Sequence, residues 1–206
     1  GLILDGIQPA GKIGGGSLAP LIRQARQDES IRSVVVRIDS PGGSAFASDT
    51  IRRELELLKL AGKPLVVSMG SVAASGGYWI ASGADEIWAS PATVTGSIGI
   101  FSAFPTFERS LETIGVFNDG VGTTRRADAF NPSRPMNALM ADALNQIMEQ
   151  GYRTFLSRVA EGRNMSPEAV ERIAQGRVWA GKTARELGLV DRLGGLSDPI
   201  ASAAQK

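Results

Sequence analysis

Ser75 stands in the run Gly70-Ser71-Val72-Ala73-Ala74-Ser75-Gly76-Gly77-Tyr78, in a chain that contains no histidine. The run reads as a strand feeding a tight turn of small residues into a helix, the usual presentation of a serine nucleophile. A serine hydroxyl ionises far above neutral pH and needs a positioned base before it can attack. Without histidine a Ser-His-Asp mechanism is ruled out. A catalytic Ser75 therefore takes its base from a lysine or from another chain. Gly42 and Gly43, in Ser40-Pro41-Gly42-Gly43, have no Cβ and let bare backbone approach a ligand. Ser75 at a helix N-terminus has free N–H groups and the positive dipole end beside it. The N–H of Gly76 and one from the Gly42–Gly43 turn would make a two-donor oxyanion hole, each donor being worth about 3 kcal/mol of barrier. Taken singly, the first motif reads as a plain turn and the second as an N-cap. Together, one βαβ unit apart on one sheet edge, they favour chemistry.

The elements that would position these residues follow from periodicity. Ser33 to Asp39 is a β-branched run and reads as a strand, followed by the Ser40–Gly43 turn. Ser44 to Ala61 has helical spacing, with Ile51, Leu55, Leu57 and Leu58 apolar and Arg52, Arg53, Glu54 and Glu56 solvated, and Gly62 as its C-cap. Pro64 to Ser68 reads as the next strand, Gly70 to Ser75 as a second turn, Gly76 to Ser82 as a short helix and Glu86 to Ala89 as another strand. This alternation implies right-handed βαβ crossovers and a mainly parallel sheet, with both turns at its carboxyl edge, where α/β proteins place their sites. Asn137 to Gly162 reads as a long amphipathic helix closed by Gly162. Ser166-Pro167-Glu168 opens a further helix, and Gly181–Gly188 and Ser197–Ala204 are short helices around a strand at Leu189–Arg192. Gly120 to Arg134 reads as an exposed loop.

Composition sets the outer bounds. A chain of 206 residues fits one domain, 1–206, with 137–206 as a helical extension. Basic and acidic residues nearly balance, 22 against 21, so there is no electrostatic footprint for nucleic acid. With neither cysteine nor histidine, the chain lacks the usual ligands of zinc and iron–sulfur sites, and no cofactor or metal residue is assigned. Two uncharged stretches, Pro64 to Ala84 and Ile87 to Phe107, are long enough to raise the question of a membrane span. Their Gly, Pro, Ser and Thr content fits doubly buried strands better. The chain opens at Gly1, inside a strand, and reads as part of a longer protein with an anchor or further domain upstream.

Asp39-Ser40-Pro41-Gly42-Gly43, Ala73-Ala74-Ser75-Gly76-Gly77-Tyr78-Trp79-Ile80, Thr95-Gly96-Ser97-Ile98-Gly99, Arg177-Val178-Trp179-Ala180-Gly181 and Gly188-Leu189-Val190-Asp191 occur in one order along the chain. In these motifs it resembles the signal peptide peptidase A family of the Clp protease/crotonase superfamily. The likeness is greatest to the carboxyl-terminal half of the double-length bacterial form. The resemblance implies an α/β, crotonase-like (Clp protease-like) fold with flanking helices, and a membrane-associated serine peptidase that degrades remnant signal peptides at the periplasmic face of the bacterial inner membrane. By the same resemblance Ser75 is the nucleophile, Ser97 hydrogen-bonds a catalytic lysine, and Gly43 and Gly76 supply the oxyanion hole, with Gly42 beside the substrate. Peptides are the implied partners, and a homo-oligomer with active sites on a concave surface the implied assembly.

The base departs from part of the family. Where short-form members carry lysine, the aligned position is Ala127, ahead of Asn131-Pro132-Ser133-Arg134. Arg125 and Arg126 cannot replace it, because a guanidinium does not deprotonate. Lys12 falls in an early loop, Lys59 and Lys63 at the opposite sheet edge from Ser75, Lys182 in the late helical region and Lys206 at the terminus. The resemblance therefore implies a lysine supplied by an upstream domain or a neighbouring protomer. Two alternatives stay open, a catalytically inactive structural half and a crotonase-type acyl-CoA enzyme. Asp39 reads as a brace for the turn, the adjacent Asp85 and Glu86 as pointing opposite ways on a strand, and Trp79, Trp88 and Trp179 as core or interface anchors.

Overall fold

An uncharged run as long as Pro64 to Ala84 must either cross a bilayer or be buried on both faces, and here it is buried. The computed structural model describes residues 1–124 and 127–206. In order, the elements are β1 (Ile3–Leu4), β2 (Ile13–Gly14), α1 (Gly15–Gln27), β3 (Val34–Ser40), α2 (Ala45–Leu60), β4 (Leu65–Ala74), α3 (Gly76–Ala81), β5 (Glu86–Ala89), β6 (Val94–Gly96), α4 (Glu108–Thr113), α5 (Ala138–Arg163), α6 (Pro167–Ile173), β7 (Val178–Ala180), α7 (Gly181–Glu186), β8 (Arg192–Leu193) and α8 (Ser197–Ala204). Among the described residues no helix is long and apolar enough to cross a membrane.

β4 is the central strand, buried from Leu65 to Gly70. β3 lies parallel along one side, with Val34 opposite Leu65 and Ile38 opposite Met69. On the other side β5 pairs with the first half of β4 (Val66 opposite Glu86) and β6 with its last residues (Val72 opposite Val94, Ala74 opposite Gly96), again in parallel. β8 continues the sheet beyond β5, and β7 closes the far side of β6 antiparallel. β1 and β2 form a separate parallel pair, from which Ile3 bridges to Gly43.

The sequence reading places a turn at Gly70–Ser75, but β4 runs unbroken to Ala74 and only Ser75 turns. The reason lies in the register. Between Ile38 and Ser40 the pairing with β4 jumps from Met69 to Ala73, leaving β4 with extra residues that need an acceptor. Asp39 provides it, its Oδ1 accepting from Val72 N at 3.0 Å. A Cβ on Gly70 would stand 2.7 Å from that carboxylate oxygen, so glycine there makes room for it. Asp39 thus braces the strand that delivers Ser75 rather than its own turn.

α2 buries Ala47, Ser48, Ile51, Leu55 and Leu58, one face at helical spacing. Gly62, at φ +81°, terminates it by donating to Lys59 O at 2.8 Å. Arg52 and Glu54, expected on the solvated face, are buried instead. α1, which the sequence reading leaves unassigned, contributes Arg23 and Arg26 to Glu54, while Arg52 pairs with Asp49 and Glu56. α5 continues through Gly162, the expected C-cap; glycine there instead leaves room for the Ser82 carbonyl, which a Cβ would overlap. The left-handed residue lies just beyond the helix, at Asn164 (φ +51°).

The chain divides into two units, residues 1–99 with 154–206, and residues 100–153. Every described residue of the apolar core lies in the first. Trp79 stacks on Phe155 with ring centroids 4.5 Å apart, and the buried Tyr78 hydroxyl donates to Leu189 O at 2.9 Å. Burial pushes the Tyr78 phenol well above its ordinary value. The second unit holds α4 and most of α5. Inside it Phe104 meets Phe130 edge-on and Arg134 pairs with Asp128 at 3.1 Å.

Candidate active site

The site is assembled where β3, β4 and β6 end. Ser75 has φ +50° and ψ −120°, a conformation that costs a non-glycine residue about 1–3 kcal/mol. Its N–H is tied to Gly96 O at 2.9 Å, and its carbonyl accepts from Trp79 N at 2.8 Å. With the backbone held at both sides, the half-buried Ser75 makes no side-chain cap of α3. Among the described residues its hydroxyl has no hydrogen-bond partner. An N-cap serine would have spent that oxygen on the helix.

Gly42 and Gly43, at φ +110° and +147°, take backbone angles that side chains resist, and both are crowded. A Cβ on Gly42 would stand 2.7 Å from Gly76 N and 2.8 Å from Ser75 Cβ, so the Ser40–Gly43 turn lies directly against the serine. Ile3 N donates to Gly42 O and Ser44 N donates to Ile3 O, both at 2.9 Å. Those two bonds take the peptide groups flanking Gly43, so the N–H of Gly43 faces away from β1. Gly43 N lies close to Gly76, where a Cβ would sit 3.3 Å from it. The N–H of Gly76, in the first turn of α3, belongs to the donors a helix leaves unpaired. Neither N–H has an acceptor among the described residues. Two unpaired donors close to each other and to a free hydroxyl are the parts an oxyanion hole for acyl transfer requires.

Ser97 follows the same pattern one strand over. Ala74 and Gly96 are paired across β4 and β6, so Ser75 and Ser97 each stand one residue past a matched pair. Ser97 also has a left-handed φ, +49°, and its N–H is fixed to Arg177 O at 2.7 Å. The Trp179 ring packs so closely over Gly96 that a Cβ there would meet its Cδ1 at 2.9 Å, and Trp179 Nε1 donates to Ile173 O at 3.0 Å. The structure therefore brings Ser75, Gly42, Gly43, Gly76 and Ser97 to one sheet edge.

Four of the five lysines, Lys59, Lys63, Lys182 and Lys206, are placed elsewhere, and Lys12 is an exposed residue just before β2. Lys59 Nζ pairs with Asp85 at 2.8 Å and donates to Gly83 O at 2.7 Å, while Asp85 Oδ2 accepts from Leu65 N at 2.8 Å. Lys63 Nζ caps carbonyls of Ala25 and Asp28 near the end of α1. Lys206 lines a surface cleft with Lys59, Lys63 and Asp85. All three sit at the start of β4, and at about 3.3 Å per residue its ten residues put them roughly 30 Å from Ser75. Lys182 follows Gly181, whose N–H bonds Thr93 O, at the opposite end of β6 from Ser97. Ala127 lies in the second unit, and Arg125 and Arg126 lie outside the described residues. Glu86 turns away from Asp85 to pair with Arg192 at 2.6 Å.

Three residues of this edge have roles that local sequence does not announce. Ile3 holds the turn, Ser48 lies so close beneath Gly76 that a Cβ there would strike its Oγ, and Arg177 anchors Ser97 through its carbonyl. Ile3 and Ser48 carry no pattern of their own. Arg177 does fall within a motif that the sequence singles out.

Residues 58–206 match the family model described as Peptidase family S49. The chain is 47% identical over 205 residues to "Protease 4" of Salmonella typhi, covering 100% of this chain and 33% of that protein. It is 39% identical over 199 residues to "Serine protease SPPA, chloroplastic" of Arabidopsis thaliana, covering 96% of this chain and 29% of that one. The chain thus spans about a third of the length of these relatives. Among solved structures, a ClpP1 mutant from Listeria monocytogenes superposes with a TM-score of 0.56 at 18% identity, covering 97% of this chain and 92% of that one. The fold is accordingly of the Clp protease type, α/β with a mostly parallel sheet.

Proposed function

The chain belongs to peptidase family S49, and on that premise we infer that it carries the nucleophile and oxyanion hole of a serine peptidase. Ser75 Oγ attacks a peptide carbonyl carbon. The N–H groups of Gly43 and Gly76 hold the resulting oxyanion, its collapse releases the amine, and water then hydrolyses the acyl-serine. The observation that carries this reading is the strained, tethered Ser75 (φ +50°), whose hydroxyl is left free beside two unpaired N–H donors.

The base is a lysine from outside this chain, oriented by Ser97. Supporting this, Lys59 and Lys63 are committed to partners at the far end of β4, and the relatives are about three times longer. To accept a proton near neutral pH such a lysine has to be neutral, which burial in an apolar site achieves by lowering its pKa. The substrates are peptides, with remnant signal peptides as the class the family resemblance favours. The setting is the periplasmic face of a bacterial inner membrane, in a homo-oligomer compatible with the Clp-type fold. The test is fluorophosphonate labelling. This chain alone resists it, and Ser75 becomes reactive once the remainder of the longer protein is present. Equal labelling of both would overturn the split base, and peptidase activity unchanged by Ser75→Ala would overturn the nucleophile.

A further inference from the structure

β3 is an edge strand with the composition of a central one. A run such as Val34-Val35-Val36 belongs in a strand covered on both sides, yet all three valines are only half-buried. β4 pairs with β3 on one side only. Val34 N donates to Pro64 O at 2.9 Å, and in a parallel ladder the residues of the same parity, Val36 and Ile38, face β4 in the same way. The N–H and C=O groups of Val35 and Arg37, and the N–H of Asp39, therefore point away from β4. Among the described residues they have no partner. An open edge of this kind is a template for another strand.

β1 shows what fits there. It lies just past the end of β3 and parallel to the same stretch of chain, with Ile3 bridged to Gly43. Gly1 N donates to Asp39 O at 2.6 Å, which sets Gly1 opposite Ser40 on the outward edge of β3. Carried backward, that register puts the residue two ahead of Gly1 opposite Ile38 and the residue four ahead opposite Val36. Their N–H groups would meet Arg37 O and Val35 O, and their carbonyls would take the N–H groups of Asp39 and Arg37. Only the Val35 N–H is left over. A cavity of about 290 Å³ receives the side chains, lined by Ile13 of β2, Val36 and Ile38 of β3, and Leu18 and Leu21 of α1. Residues two and four ahead share the face of Ile38 and Val36 and enter that apolar space. We propose that the residues immediately ahead of Gly1 in the longer protein form a further strand parallel to β3, joining the β1–β2 pair to the main sheet. The relatives are about three times longer than this chain, which leaves room for such a segment. The added strand holds β1 from behind, and β1 through Ile3 holds Gly42 and Ser44 on either side of Gly43. The pairing does not depend on the peptidase reading; only its value for positioning an oxyanion donor rests on it.

The experiment is residue-resolved amide hydrogen exchange on the longer protein. The Arg37 and Asp39 amides exchange at least about a hundredfold more slowly than an exposed loop amide such as that of Glu29. Proline at the second residue ahead of Gly1 removes the donor to Arg37 O and restores fast exchange at Arg37 and Asp39. It also speeds exchange at Ser44, whose N–H rests on Ile3 O. Proline at the first residue ahead, where the N–H points away from β3, leaves Arg37 and Asp39 slow. Fast exchange of both amides in the unaltered protein overturns the added strand, a result that needs no variant to fold. Protection that survives proline at the second residue means that another segment covers β3, which overturns the assignment. Equal effects of the two prolines overturn the register. A Ser44 amide that stays slow while Arg37 and Asp39 are freed overturns the link to Gly43.

Discussion

At its amino-terminal end β4 meets Lys59, Lys63 and Asp85; at its carboxyl-terminal end it meets Ser75, Gly42 and Gly43. The first end is saturated. Asp85 serves both the Lys59 ammonium and Leu65 N, and Lys63 serves two carbonyls. At the second end Ser75, Gly43 and Gly76 hold polar groups without partners among the described residues, and Ser75 and Ser97 both hold left-handed backbone angles. Structural polar groups are normally satisfied, so an unsatisfied, strained cluster at one end of a satisfied strand is what motivates the proposed site there. The comparison also separates base from nucleophile. The charged amines of this end of β4 stabilise the fold, and none is placed to take a proton from Ser75.

The comparison can be broken most directly at Ser75. On the proposed reading, Ser75→Ala in a protein that also supplies the base removes the nucleophile, and kcat falls to background, a loss on the order of 10⁴–10⁶-fold. Activity that survives would make the strained turn structural, like the other end of the strand. Gly43→Ala is next. Its Cβ would overlap the Ile3 carbonyl, so the turn has to move and the proposed oxyanion donor with it, and kcat is expected to fall about 10²–10³-fold. A smaller effect is expected from Asp39→Ala, which leaves Val72 N without its acceptor. Thermal or urea unfolding should show about 1 kcal/mol of lost stability, since the bond is exposed, with kcat reduced more than KM is raised because Ser75 is displaced.

Lys59→Met sharpens the contrast from the saturated end. Stability falls by about 1 kcal/mol or less, since the Lys59–Asp85 pair is one-third exposed, and fluorophosphonate labelling of Ser75 in the longer protein is unchanged. Loss of labelling there would join the two ends functionally. The mildest effect comes with pH. Burial alone would raise the Asp49 carboxyl, but hydrogen bonds from Arg52 and Trp79 outweigh it and hold the group below the ordinary range. Glu86 is likewise lowered, because the bond from Ser202 and the charge of Arg192 overcome its burial. A folded pKa below the unfolded one gives stability that is present above the unfolded value and lost as pH falls through the folded one. The melting temperature should therefore change little from these groups near neutrality and drop only below about pH 4.

Much of this edge is legible without coordinates. Small residues around Ser75, the Gly42–Gly43 pair and the lack of histidine specify an acyl-transfer geometry without an imidazole, because backbone approach needs glycine and a hydroxyl needs a base. The β-branched run before Asp39 and the spacing of α2 likewise fix strand and helix. Other features are not legible because they depend on partners distant in the chain. Gly70 to Ala74 look like a turn by composition, and they remain strand because Asp39 fills the gap in the ladder. Glu54 looks solvated until α1 brings two arginines over it. α1 itself is masked by its two opening glycines and by Pro20, poor helix formers whose cost is met by packing on α2.

What the sequence determined by itself was the chemistry available: a hydroxyl, bare backbone donors and no imidazole. Residue types are local properties, and types at short spacing report on turns. Only the tertiary structure decided which donors lie beside Ser75 and which amines lie far from it. Ile3 turns Gly43 toward Gly76, Gly96 and Arg177 carbonyls fix the two serines, and the length of β4 keeps Lys59 and Lys63 far from Ser75. Those are directions and distances set by strand pairing between segments tens of residues apart, and no spacing within the chain encodes them.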